Sequence, residues 1–235
     1  MKTGVILLAQ HRVPDESRIA GECADYIRSK GHPAVRVAYF RGSVPPFDVM
    51  QEMNSEGVDT FCILPLVVSE GKMSVWDMPA ALHLPDNCGS WTMIGDRDVA
   101  TRFATALGRD PRMASALVGR EGEPDGSAIL LVSRGSPHST TAKVAEYYAE
   151  AFRQAGWRAE CSFCTHGESP ITVAGRLREE GYARLRVVPL YISFTGRSAV
   201  EVLNALAGSE VSYSEALGNV PAFREILESK IPEGW

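Results

Sequence analysis

One run of residues occurs twice, and it restricts the fold more than anything else in the chain. Phe61-Cys62-Ile63-Leu64-Pro65-Leu66-Val67-Val68-Ser69-Glu70-Gly71 is answered by Leu185-Arg186-Val187-Val188-Pro189-Leu190-Tyr191-Ile192-Ser193-Phe194-Thr195-Gly196. Each copy is a strand-like apolar run, then Pro-Leu, two more strand residues, a Ser and a Gly. Strands apolar on both faces belong to parallel sheets covered by helices. Two copies imply two like halves, with a cleft between them as the expected place of function.

Further matches support the duplication. Pro46 and Pro170, Gly57 and Gly181, and Pro65 and Pro189 are each 124 apart, Gly31 and Gly156 are 125 apart, and Leu8 and Leu131 are 123 apart. Leu107-Gly108 and Leu217-Gly218 are 110 apart, so the second half is shorter near its end. The expected units are 1–120 and 127–235, joined by the polar, Gly-rich Glu121-Gly122-Glu123-Pro124-Asp125-Gly126.

Periodicity within unit one predicts strands over Val5–Ala9, Val35–Phe40, Thr60–Val68 and Trp91–Ile94. A helix opens at Asp15 with Ile19, Cys23, Tyr26 and Ile27 on one face, and another runs over Val49–Ser55. Helices are also expected from Pro79 and around 97–107 and 111–119. Unit two repeats the order: strands at Ala128–Val132, Arg158–Phe163, Arg184–Ile192 and near Val211, with helices between them and a last one from Pro221. Strands alternating with helices give α/β units with parallel sheets, and ligands then sit at the carboxyl ends of the strands.

Composition narrows the partners. A formal charge of −5 gives no general attraction to nucleic acid or anionic membrane. No apolar run approaches the ~20 residues needed to cross a bilayer. The start shows no signal-peptide pattern, and five cysteines is an odd, irregularly spaced set. Reduced thiols and a cytoplasmic location are expected.

The loops at the carboxyl ends hold the candidate chemistry. After strand one they read His11-Arg12-Val13-Pro14 and Arg134-Gly135-Ser136-Pro137, with His11 and Arg134 in the same place. After strand two of unit two comes His166-Gly167-Glu168-Ser169-Pro170. After strand three come Glu70-Gly71-Lys72-Met73 and Gly196-Arg197-Ser198.

The His loop, the Pro opening a short helix, and Pro65-Leu66, Gly71, Asp77 and Pro79 resemble the class II tetrapyrrole chelatases, the sirohydrochlorin cobaltochelatases and ferrochelatases. The resemblance spans nearly the whole chain, in the long form with two fused halves. It implies two similar flavodoxin-like lobes facing each other. It implies a sirohydrochlorin cobaltochelatase-like lyase of cobalamin biosynthesis, inserting a divalent metal into a tetrapyrrole. Cobalt is the first expectation, with iron or nickel as alternatives, and a homo-oligomer is allowed. The chain departs from the family pattern in three places: Arg12-Val13 replace Gly-Ser after His11, Met73 stands where a second histidine is usual, and Arg134 replaces the histidine ahead of Gly135-Ser136 in unit two.

Metal insertion removes two pyrrole protons and holds a partly desolvated cation over the ring. A neutral imidazole can do either, because its pKa lies near working pH. His11 is therefore the expected metal ligand or base, against the alternative of a histidine bonded in a turn. His166 as a second metal ligand and Glu168 as a catalytic carboxylate are expected to assist across the cleft. The alternative for Glu168 is an acidic residue opening the helix at Pro170. Arg12, Arg134 and Arg197, with the Gly135-Ser136 turn, are expected to grip substrate carboxylates. Lys72 falls in the same loops, and each of these cations could instead form a surface salt bridge. Met73 and Trp76 would wall the macrocycle face.

Cys161-x-x-Cys164 lacks the partners of an iron–sulfur or zinc site and reads as two structural thiols. Two rival functions stand beside the enzyme. One is a non-catalytic relative that binds a tetrapyrrole or metal, favoured by Met73. The other is a small-anion enzyme using the Arg134 loop, which lacks any phosphate motif beyond Gly-Ser.

Overall fold

The computed structural model describes residues 2–85, 91–137, 139–207 and 210–233, with the backbone alone at 139 and 196–198. The chain divides into two compact units, Met1–Gly108 with Arg224–Trp235, and Arg109–Phe223. These differ from the sequence repeats: each repeat gives its last helical stretch to the other unit.

The first unit carries β1 (Thr3–His11), α1 (Pro14–Ser29), β2 (Val35–Arg41), α2 (Pro46–Ser55), β3 (Thr60–Pro65), a π-helical turn (Met73–Asp77), α3 (Met78–Ala80), β4 (Trp91–Ile94) and β5 (Arg97–Phe103). The strand order is β2-β1-β3-β5-β4. Val5 to Ala9 are fully buried, as a central strand covered on both faces requires. Met50 and Met53 from α2 join Ile6, Leu8, Phe61 and Ile63 in the core on one face. Two expectations fail here. The stretch predicted as a helix around 97–107 is β5, and β4 pairs with it antiparallel. Val99, Thr101 and Phe103 point inward at every second residue, which is a strand period. Gly95, at φ 60°, with Asp96 makes the two-residue hairpin turn between Ile94 and Arg97.

The chain from Arg224 onward completes this unit. The Lys230 ammonium donates to Thr105 Oγ1 at 3.0 Å and to the Ala106 carbonyl at 3.1 Å. The Arg224 guanidinium lies 5.2 Å from the Tyr26 ring centroid.

The second unit carries α4 (Pro111–Glu121), β6 (Ala128–Ser133), α5 (Ser139–Gln154), β7 (Arg158–Phe163), α6 (Pro170–Glu179), β8 (Leu185–Pro189), α7 (Gly196–Ala205), β9 (Val211–Tyr213) and the start of α8 (Pro221–Glu228). The order β7-β6-β8-β9 is parallel throughout and repeats the topology of β2-β1-β3-β5. The Glu121–Gly126 segment is fastened to this unit. Trp157 Nε1 donates to the Gly122 carbonyl at 3.3 Å, and Arg186 bonds the Glu121 carbonyl at 2.9 Å and the Asp125 carboxylate at 2.7 Å.

Register corrects the sequence alignment by one residue. Leu8 faces Pro65, and Val132 faces Pro189, a common offset of 124 (132 − 8 and 189 − 65). Leu8 therefore corresponds to Val132, and the counterpart of His11 is Gly135 (11 + 124), with Arg134 matching Gln10. The Leu-Gly segments behave alike: Leu107 and Gly108 donate to Val67 and Val68, as Leu217 and Gly218 do to Tyr191 and Ile192.

Candidate functional site

At the carboxyl end of the first sheet, the β1–β3 ladder ends at the Leu8–Pro65 pair, while β1 runs on to His11 opposite Arg41 of β2. The overhanging backbone is held by Glu16, in the first turn of α1. Its carboxylate accepts from the Gln10 N–H at 2.5 Å and the His11 N–H at 3.2 Å, and the residue is only 7% exposed. Burial pushes its pKa up, against the pull of the two backbone hydrogen bonds and of His11. Sequence reasoning missed Glu16. An acid in a helix's first turn reads as a partner for that helix's own dipole, whereas this one reaches back into the preceding strand.

Arg12 is exposed, its guanidinium 6.0 Å from the Tyr39 ring centroid, and that of Arg41 is 5.9 Å from the Phe40 ring. Met73 opens the π-helical turn and is half-buried, packed against the unit's apolar core. Lys72 is ion-paired to Asp77 within the same turn, and the Gly71 N–H donates to Ser74 Oγ at 3.1 Å. Trp76 is 60% exposed.

In the second unit, the loops after β6 and β7 are sewn together. Cys164 N–H donates to the Ser133 carbonyl at 3.0 Å and Thr165 N–H to the Arg134 carbonyl at 2.7 Å. Thr165 Oγ1 also donates to the Arg134 carbonyl at 2.8 Å. Gly135 has φ +80°, and any Cβ there would run into the Thr165 carbonyl. This position can therefore carry no side chain, histidine included. Arg134 is exposed and Ser136 half-buried.

His166 is exposed, with a left-handed backbone at φ +52°. The turn it belongs to is closed by Phe163 N–H donating to the Glu168 carbonyl at 2.8 Å. The structure thus brings the Arg134–Gly135 loop against the Thr165–His166 turn. The exposed Glu168 carboxylate pairs with Arg176 of α6 at 2.7 Å, and that bond pulls its pKa below the ordinary range. Ser169, not Glu168, caps α6, accepting from Thr172 N–H at 3.2 Å. The side chain of Arg197 lies outside the described residues.

The two thiols of Cys161-x-x-Cys164 have separate surroundings. Cys161 donates to Glu146 at 3.7 Å, and burial pushes its pKa up to about 12. Cys164 bonds Tyr191 Oη at 3.3 Å and packs against the second unit's core. Among the described residues no three His, Cys, Asp or Glu are gathered to hold a metal ion.

A family model described as CbiX matches residues 6–123 and again 128–234. The chain belongs to the CbiX family. The CbiX model's two matches leave only the first residues, the last one and a short junction uncovered, and they agree with the resemblance to class II chelatases read from the motifs. No curated protein matches the chain in sequence. The fold is similar to SirB from Bacillus subtilis with Fe3+, at a TM-score of 0.77 and 17% identity over 98% of this chain and 94% of that one. SirB from Bacillus subtilis subspecies spizizenii in complex with cobalt gives 0.73 at 13% identity, covering 98% and 94%. CbiX, the terminal enzyme of siroheme biosynthesis in denitrifying bacteria, gives 0.66 at 18% identity, covering 97% of both chains. These likenesses establish the chelatase-like fold for both duplicated units.

Proposed function

We propose that this CbiX-family chain is a tetrapyrrole metal chelatase acting on sirohydrochlorin or a related macrocycle, with cobalt as the metal. The reaction exchanges two pyrrole N–H protons for one divalent cation. The observation that carries the reading is the family match over both halves, combined with a single imidazole, that of His11, at the carboxyl end of β1. His11 serves as metal ligand or as base for a pyrrole proton. His166 and Glu168 assist, Glu168 as a carboxylate for the cation or the second proton. Arg12, Arg134 and Arg197 hold the acetate and propionate carboxylates of the substrate, with Gly135 and Ser136 in the same loop. Met73 presents an apolar edge to the ring. The SirB structures with Fe3+ and with cobalt support a metal substrate of this kind.

The test mixes purified protein, sirohydrochlorin and Co2+ and follows metallation by absorbance against a protein-free control. Rate enhancement lost in His11→Ala supports the enzyme. A second reading, a carrier that binds the macrocycle or metal without turnover, is favoured by Met73, a poor ligand for harder divalent ions. Tight binding with no enhancement supports it, and binding of neither ligand defeats both.

A further inference from the structure

We propose that Glu16 is the positioning residue for His11. This rests on His11 being the metal-handling group. The geometry is specific. Two consecutive N–H groups, of Gln10 and His11, converge on one carboxylate, at 2.5 Å and 3.2 Å. Successive backbone N–H groups turned to one side form an anion-binding concavity. Here the anion is built in and 7% exposed. The hydrogen bonds act where support is needed, since the pairing of β1 with β3 ends at Leu8 and the chain leaves the sheet after His11.

Without the carboxylate, the two part-buried N–H groups lose their side-chain acceptor, at a cost of up to roughly 1–3 kcal/mol per group. The loop backbone would shift to reach water and carry the imidazole with it. The carboxylate is directed at β1 and does not cap its own helix, α1. Its N-cap, Val13, has no side-chain cap, and Pro14 stands at the first position. The carboxylate also adds a buried negative charge beside whatever cation the imidazole meets. A group of this kind, one step back from the ligand, commonly governs metal affinity by 10–100-fold.

The test uses the full chain with Co2+ alone as probe. Affinity is measured by calorimetry and the cobalt d–d absorption, for wild type, His11→Ala, Glu16→Ala and Glu16→Gln. Thermal unfolding is recorded in parallel. The backbone amide signals of Gln10 and His11, and the imidazole C–H signals of His11, are followed by NMR without metal. The expected result is Co2+ binding that His11→Ala removes and Glu16→Ala weakens roughly 10–100-fold with a changed d–d spectrum. Glu16→Gln, which keeps one acceptor and the side-chain volume, falls between and serves alone if Glu16→Ala does not fold. Folded Glu16 variants with wild-type affinity and spectrum overturn the proposal. If wild type does not bind Co2+ through His11, the chelatase reading fails instead. The metal-free spectra then decide Glu16: unchanged His11 imidazole signals in Glu16→Gln overturn its role, and displaced, broadened ones uphold it.

Discussion

His11 and Gly135 correspond by the 124-residue offset that relates the two sheets, and only the first can bear a side chain. The Thr165 carbonyl fills the space where a Cβ on Gly135 would lie. The asymmetry between the halves is thus set by the backbone of a neighbouring loop as well as by residue choice. Gly135→Ala should destabilise the second unit by about 1–3 kcal/mol through its positive φ alone, and Gly135→His by more. Chemical denaturation measures this, and an unchanged midpoint would contradict the clash.

His11→Ala separates chemistry from stability. His11 is half-exposed at a strand end, so removing the imidazole should shift unfolding by about 1 kcal/mol or less. The metallation rate should fall to that of the protein-free reaction. Stopped-flow absorbance and a thermal melt on the same sample give both quantities.

Met73→His restores the imidazole usual for the family at the start of the π-helical turn. Co2+ affinity should rise above wild type. The cost is core packing, because Met73 leans on the first unit's apolar cluster, and about 1 kcal/mol of stability should be lost. Calorimetric titration and denaturation together read the trade.

The second unit should be acid-sensitive. Glu168, Glu180 and Glu146 all have pKa values lowered from an ordinary 4.5 by hydrogen bonds to Arg176, Arg158 and Arg153. A carboxylate lowered in the folded state adds stability that is complete above its unfolded pKa. That stability is lost as pH falls through the folded pKa. Urea midpoints should therefore drop on acidification below about 4.5. The drop should shrink in high salt, because these pairs are exposed.

Ending the chain at Phe223 should loosen the first unit rather than the second. It removes the buried Ile226, Leu227 and Ile231, and the Lys230 bonds to Thr105 and Ala106. Each such apolar side chain is worth roughly 1.5–3 kcal/mol when fully buried. Hydrogen exchange should rise across 1–108 and stay near wild type across 109–223.

Much of the fold was legible because it rests on local pattern. Fully apolar runs such as Val5–Ala9 and Ala128–Val132 announce central strands, and the Pro-Leu repeat announces duplication. What escaped depends on contacts distant in sequence. Val99, Thr101 and Phe103 carry a strand period, but the polar and alanine residues between them also suit a helix, and only pairing with β3 decides. The one-residue misalignment arose from matching Leu8 to Leu131 by identity. The ladder matches it to Val132 instead. Of the candidate site, His11 was readable as a polar residue at a strand's end. The hold of Glu16 on its backbone was not, since nothing in a linear chain says which N–H groups a first-turn carboxylate will meet.

The return of the segment after Arg224 to the first unit has a consequence for biosynthesis. Residues 109–223 form a continuous stretch and can condense as soon as they clear the ribosome. The portion made first lacks its closing segment until the portion made last is translated. The nascent amino-terminal sheet, with the imidazole it carries, becomes a finished body only after the downstream unit has been translated.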